Sequence, residues 1–101
     1  MTLSLRNDYG CTEAVIAENC GFDKFYKVAD LLAEQLRIRF TTKVDDSDTS
    51  YWDFQYKGHK LTLHYNIYDG VSIFPRNLKG AGRRDNDAVM ELAKALQGLP
   101  G

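Results

Sequence analysis

Residues 52–65, WDFQYKGHKLTLHY, decide the fold. On both sides of Gly58, aromatic and large apolar residues occupy every second position, and polar residues lie between them. Alternation with a period of two is the pattern of a β-strand that buries one face. Because Gly58 interrupts the pattern near its centre, the stretch predicts two antiparallel strands joined by a tight turn, a β-hairpin with one apolar face.

The turn determines which residues of this hairpin lie opposite each other. A two-residue turn at Gly58-His59 places six apolar side chains on one face, as the pairs Tyr56–Leu61, Phe54–Leu63 and Trp52–Tyr65. A shift of one residue would turn a whole strand over and expose its apolar side. We therefore predict this register, with strands at residues 51–57 and 60–67.

Two further strands flank the hairpin. Residues 38–44 alternate in the same way, with one side formed by Ile38, Phe40, Thr42 and Val44. Residues 71–74 form a short apolar run that ends at Pro75, which cannot continue an interior strand. The four strands together predict an antiparallel meander.

The loop before the last strand has two readings. A two-residue turn at Asp69-Gly70 would set Ile67 against Ser72 and break the apolar pattern. A three-residue loop at residues 68–70, with Gly70 in the left-handed conformation, pairs Ile67 with Val71 and keeps the pattern intact. We predict the three-residue loop.

Two segments have the helical period of 3.6 residues, at residues 23–37 and 85–97. Their apolar stripes are Phe25, Val28, Ala29, Leu32 and Leu36 in the first, and Val89, Leu92, Ala93 and Leu96 in the second. Asp23 is the expected N-cap of the first helix and Asp85 or Asn86 that of the second. Gly98 is expected to end the second helix.

The N-terminal residues allow two interpretations. Residues 14–18 form either a strand beside the meander or a short helix capped by Thr12, and Val15 and Ile16 favour the strand. Residues 2–6 also alternate and would add an edge strand. The predicted fold is α+β: a two-layer sandwich with both helices on one face of the four-stranded meander, with or without an extra N-terminal strand, in the order (β)-α-β-β-β-β-α.

Composition narrows the class of protein. The chain has 101 residues, so we expect a single domain spanning residues 1–101. A net charge of −1 is unlike the strongly basic balance of non-specific nucleic-acid binders. No apolar run approaches the roughly 20 residues that span a bilayer, and the N-terminus does not resemble a signal peptide. We therefore expect a soluble cytoplasmic protein, with Cys11 and Cys20 as reduced thiols.

The order of motifs resembles known families. A helix is followed by WxFxYxGxxLxLxY at residues 52–65 and by YDGVSIFP at residues 68–75. This arrangement resembles small bacterial families of unknown function over about Phe25 to Pro75. The shared residues are core and turn residues, so the resemblance implies a fold and no activity.

Catalytic, metal and cofactor motifs are missing from the sequence. His59 is predicted in a turn and His64 in a strand, which makes them poor joint ligands for zinc. The loop with Asp45, Asp46 and Asp48 lacks the glycine and glutamate that an EF-hand requires at its sixth and twelfth positions. We predict no metal, no cofactor and no enzyme activity.

The polar face of the predicted sheet is the main candidate surface. The predicted register sets Asp53 opposite His64, in a row Lys43–Asp53–His64–Phe74 across four strands. An Asp-oriented histidine could act as a general base, but facing charges on a sheet are also ordinary cross-strand pairs. Aromatic groups among polar ones are typical of protein interfaces. The candidate binding residues are Tyr51, Asp53, His64, Tyr68 and Phe74.

A basic loop suggests a second candidate site. Residues 76–84 hold four cations, Arg76, Lys79, Arg83 and Arg84, and lead into the second helix, whose N-terminus would favour an anion. The alternative is a solvated connector. The leading hypothesis is a non-enzymatic protein-interaction or accessory domain, immunity- or regulator-like, with an unidentified protein or a second copy as its partner. The alternative is a small anionic-ligand or nucleic-acid binder acting through the basic loop, with nucleic acid the less favoured ligand.

Overall fold

The computed structural model describes residues 4–8, 11–18, 20–68, 70–76 and 83–98, with side chains from residue 13 onward. Its elements are β1 (Ser4–Asp8), β2 (Cys11–Ala17), α1 (Phe22–Gln35), β3 (Phe40–Asp45), β4 (Thr49–Tyr56), β5 (His59–Asn66), β6 (Gly70–Pro75) and α2 (Arg83–Gln97). The α+β class, the four-stranded meander β3–β6 and the two helices are confirmed.

The described strands form one antiparallel sheet with the order β1-β2-β6-β5-β4-β3. The strand interpretation of the N-terminal segment is therefore confirmed, and β2 lies beside β6. β1 pairs with β2 at the sheet edge, so the N-terminal segment contributes two strands. Residues 2 and 3 of the predicted edge strand lie outside the described residues.

The predicted register of the central hairpin is wrong by two residues. Phe54 pairs with Leu61 and Trp52 with Leu63. The turn residues are Lys57 and Gly58, both with positive φ (51° and 84°), as in a type I′ turn. A shift of two preserves the alternation, so the predicted apolar face is correct although every pairing differs.

The second hairpin has the same two-residue shift. Asn66 pairs with Gly70 and Tyr65 with Val71, so the three-residue loop is residues 67–69 instead of 68–70. Gly70 has the predicted positive φ, 83°. Ile67 moves from the predicted apolar face into the loop, where it is exposed.

β3 contains a bulge, and beyond it the side chains of the strand point to the opposite faces of the sheet from those predicted. Phe40 pairs with Phe54 but Thr42 pairs with Asp53, so one extra residue, Thr41, lies between them. Beyond the bulge, Val44 turns away from the apolar face and is exposed. Lys43 takes the helix side instead, with Nζ 4.4 Å from the Trp52 ring centre. The predicted regular alternation of this strand is therefore wrong after Phe40.

The two helices pack on the apolar face, as predicted. α1 begins after Gly21, so Asp23 lies inside its first turn instead of capping it. α2 begins at Arg83, which places Asp85 inside the helix, and it ends before Gly98 as expected. The core lies between helices and sheet and contains Phe25, Val28, Leu32, Phe54, Leu61, Leu63, Tyr65, Ile73, Val89, Leu92 and Leu96.

Candidate interaction surface

The sheet face opposite the helices, here called the outer face, holds most of the predicted site. Trp52 and Phe54 point toward the helices, where Trp52 meets Phe25. Successive side chains of a strand alternate between faces, so Tyr51 and Asp53 lie on the outer face. His64 and Phe74 share it.

Three rings form a continuous row on this face. The ring centres of Tyr51 and His64 are 4.5 Å apart with an interplanar angle of 33°. Those of His64 and Phe74 are 5.5 Å apart at 49°. Both separations fall within the range of favourable aromatic contacts. The row is therefore pre-arranged by the sheet, because each ring comes from a different adjacent strand.

Asp53 belongs to a polar cluster and not to a pair with His64. Its Oδ1 accepts a hydrogen bond from the Thr62 hydroxyl at 2.6 Å. Its Oδ2 lies 3.2 Å from a guanidinium nitrogen of Arg76, and the same nitrogen lies 3.4 Å from the Thr41 hydroxyl oxygen. The predicted row Lys43–Asp53–His64–Phe74 is wrong, because the two-residue shift places Thr62 opposite Asp53 and the bulge sends Lys43 to the other face.

Exposure rises steadily across the outer face. One row of paired residues, one from each strand, runs from β6 to β3. Ser72 is 2% exposed, His64 8%, Tyr51 43% and Val44 53%. Within this row, the residues on β4 and β3 are therefore open to solvent, and those on β5 and β6 are buried.

Tyr68 lies apart from the aromatic row, in the loop between β5 and β6. Its side chain is 79% exposed. Its backbone N–H donates to Oδ1 of Asn66 at 2.6 Å, and the N–H of Ile67 donates to the carbonyl oxygen of Asp48 at 3.1 Å. The loop is thus joined to the loop between β3 and β4.

The basic loop is divided by the fold. Arg76 joins Asp53 on the outer face, and Lys79 lies outside the described residues. Arg83 and Arg84 form the exposed start of α2. Arg84 lines a cleft of about 190 Å³ with Lys57, His59, Asp87, Ala88 and Glu91.

The charges of this cleft are largely balanced. His59 Nδ1 lies 2.8 Å from Oδ1 of Asp85, and Lys57 forms an ion pair with Glu91. Hydrogen bonding to Glu91 raises the pKa of Lys57, and the same contact lowers the pKa of Glu91. Burial, reinforced by the Glu91 charge, raises the pKa of Tyr56, whose hydroxyl donates to Glu91 at 3.2 Å. Carboxylates in the cleft oppose an incoming anion.

Two general features of the described residues bear on function. They contain no group of three His, Cys, Asp or Glu side chains placed to hold a metal ion. None of the helices in this part of the chain has the length and apolar character needed to cross a membrane.

These features define an α+β domain that has helices on one side of its sheet and an aromatic, partly open face on the other. A family model described as protein of unknown function (DUF3630) matches residues 4–96. The chain therefore belongs to this family. No curated protein and no solved structure matches the chain.

Sequence reasoning missed Val44 and Arg76 as members of the outer face. Val44 was assigned to the apolar side, since nothing in the alternation of residues 38–44 signals a bulge at Thr41. The sequence places Arg76 in the basic loop, as part of the alternative anion-binding site, although its position directly after the strand that ends at Pro75 is a usable signal. A residue at a strand end can reach the neighbouring strands of the same face.

Proposed function

We propose that this chain is a non-enzymatic protein-interaction domain, accessory or regulatory to another protein, and that the open part of the outer face is its binding surface. One observation carries the proposal: Tyr51 and Val44 lie opposite each other on adjacent strands and are 43% and 53% exposed. Large exposed apolar groups beside one another are typical of interaction sites.

The surroundings of Tyr51 support this role. Its ring rests against His64, which is almost fully buried, and His64 in turn contacts Phe74. A tyrosine held in this way needs little further ordering when a partner covers it, and tyrosine is among the residues that contribute most to protein interfaces. The cluster of Asp53, Thr62 and Arg76 supplies a polar rim beside it.

The face is a better candidate than the open edge of β3. Free strand edges bind other strands through their backbone groups. In β3, the bulge at Thr41 interrupts the regular edge and Lys43 adds a charge. Natural sheets use both features to prevent their edge strands from pairing with other strands. We therefore assign binding to the face.

An enzyme is disfavoured by the hydrogen-bonding of Asp53. Its two oxygens are occupied by Thr62 and Arg76, and the residue opposite His64 on β4 is Tyr51. Asp53 is therefore not placed to orient His64 as a general base on the outer face. A cytoplasmic location remains part of the proposal.

The test is affinity capture from an extract of the source organism, comparing the parent with Tyr51→Ala. Tyr26→Ala is the matched control, because Tyr26 is a similarly exposed tyrosine but lies on α1, on the opposite side of the sheet. We expect a captured protein that Tyr51→Ala loses and Tyr26→Ala retains. Equal capture by both variants, or no specific capture by the parent, would contradict the proposal.

A further inference from the structure

The exposed large apolar side chains of the described residues are unevenly distributed. Four of the five, Val44, Tyr51, Ile67 and Tyr68, belong to the strand ends and loops at one end of the sheet. The fifth, Tyr26, lies on α1 against Trp52. Scattered single apolar residues are normal on a protein surface, but a concentration at one end is typical of a binding site.

The fold brings these four residues to the same end. At this end of the sheet, β3 leads into β4 and β5 leads into β6. The two connections lie side by side, because Thr49 pairs with Asn66 and Asn66 pairs with Gly70. The bond from the Ile67 N–H to the Asp48 carbonyl ties the two loops together. Val44 and Tyr51 also belong to the outer face, so this end of the sheet shares two residues with the surface proposed above.

The loops at this end carry charge of one sign, while Lys43 of β3 lies on the helix side of the sheet with Nζ 4.4 Å from the Trp52 ring centre. The described residues of these two stretches, 45–49, 67, 68 and 70, contain three aspartates, Asp45, Asp46 and Asp48, and no lysine or arginine. Asp45 accepts hydrogen bonds from the Trp52 indole and the Ser50 hydroxyl, and Asp46 accepts one from the Ser47 N–H. These bonds hold the carboxylates in place, but every donor is neutral and leaves the negative charge uncancelled.

We infer that this end of the sheet, here called the acidic end and formed by Val44, Asp46, Asp48, Tyr51, Ile67 and Tyr68, binds a protein segment that carries lysine or arginine together with large apolar side chains. The inference rests on the proposed function and names the chemistry of its partner. Apolar side chains would cover Tyr68, Ile67 and Tyr51, and the cations would meet the aspartates. A second copy of the chain fits poorly, because symmetric pairing at this end would bring like charges together.

The test uses a fluorescein-labelled peptide of alternating lysine and leucine as the probe, followed by fluorescence anisotropy. One control peptide replaces lysine by glutamate and a second replaces leucine by serine. We expect the parent to bind only the first peptide, and to bind it less tightly as salt rises, because salt screens the charge attraction.

Two double variants separate the apolar and charge contributions. Ile67→Ser with Tyr68→Ser should weaken binding about tenfold, the loss typical of removing interface anchors. Asp46→Asn with Asp48→Asn should weaken it about threefold at low salt, with a smaller effect at high salt. Glu34→Gln with Asp87→Asn is the matched control, since both residues are exposed carboxylates on the helices and the change in net charge is the same. It should bind like the parent.

Binding of the glutamate peptide, or equal affinity for the parent and either acidic-end variant, would overturn the inference. Absence of binding to the lysine-leucine peptide would overturn it as well. The proposed function is tested separately. A captured protein that depends on Tyr51 but not on Ile67, Tyr68 or the aspartates would leave the interaction domain standing and refute the basic partner.

Discussion

The backbone of Gly70 passes against the carbonyl group of Ala17, so closely that a Cβ added to Gly70 would overlap the Ala17 oxygen. The contact occurs where β2 and β6 change register between Val15 and Ala17. Gly70 therefore meets two requirements at once, a positive φ and the absence of a side chain.

This double requirement predicts unequal costs for two glycine substitutions. Gly58 has nearly the same φ as Gly70 but open space where a Cβ would lie. Gly58→Ala should destabilise by about 1 kcal/mol, the conformational cost alone. Gly70→Ala should cost clearly more, about 3 kcal/mol, because the backbone of β2 must also move. Equal urea midpoints for the two variants would show that the close approach to Ala17 does not add to the free-energy cost of the Gly70 substitution.

Leu63 should be a central contributor to stability. It is fully buried and lies between Trp52 and Ile73 on the adjacent strands. Leu63→Ala should lower the free energy of unfolding by about 2–5 kcal/mol, through lost burial and the cavity left behind. Ile67→Ala is the control, since exposed Ile67 should cost less than about 0.5 kcal/mol. A chemical denaturation midpoint for Leu63→Ala that matches the parent would contradict the burial of this residue.

The ion pair of Lys57 and Glu91 should stabilise the fold only within a pH window. The lowered pKa of Glu91 means that its contribution is present above the ordinary glutamate pKa and is lost as pH falls through the folded-state value. The raised pKa of Lys57 means that its contribution is lost as pH rises through the folded-state value. Because both groups are exposed, the effect should be small.

A double-mutant cycle measures the contribution of the Lys57–Glu91 ion pair to stability. Lys57→Met, Glu91→Gln and the double variant, unfolded in urea at neutral pH, should show a favourable coupling. The coupling should be lost as pH falls below the ordinary glutamate pKa and through the lowered folded-state pKa of Glu91. A coupling that persists unchanged at acidic pH would mean that the ion pair is not its source.

Self-association through the outer face should be weak. Tyr51 and Val44 offer apolar area to a second copy, but the acidic end repels its equivalent. Sedimentation equilibrium should show monomer at low micromolar concentration, with dimer appearing at higher concentration and increasing with salt. Tyr51→Ala should reduce the dimer, and Tyr26→Ala should not. A purely monomeric protein at high micromolar concentration, or a dimer that salt dissociates, would contradict this expectation.

The anion-binding hypothesis predicts a different salt response. Nucleotide or single-stranded nucleic acid bound at the start of α2 should dissociate as salt rises, with a shallower slope after Arg83→Ala and Arg84→Ala. Asp85 lies in the first turn of this helix and Asp87 lines the cleft beside it, so we expect weak binding at most. Identical titrations for parent and variant would show that the arginines are not a binding site.

The shifted hairpins show what the alternation of residues could predict. It correctly placed Trp52, Phe54, Leu61 and Leu63 on one face, because face depends only on odd or even position. It could not distinguish registers that differ by two residues. The preference for Gly58 as the first turn residue failed because Lys57 adopts a positive φ, which is uncommon for a residue with a side chain.

The turn also takes part in contacts with α2. In the observed register Lys57 reaches Glu91 on α2, and His59 reaches Asp85. These contacts join the hairpin to helix residues 34 and 26 positions further along the chain. Such contacts have no local signature in the sequence, and the alternation together with a single glycine leaves both registers open.

The sequence by itself determined the α+β class, the number and order of helices and meander strands, and the face of each apolar residue in β4 and β5. These properties follow from the local periodicity of the sequence, which does not depend on contacts between distant parts of the chain. Only the tertiary structure decided that Asp53 meets Thr62 and Arg76, that Tyr51 contacts His64, and that Val44 is exposed. Those relationships depend on register and on the bulge at Thr41, and both are set by contacts between strands and helices distant in the chain.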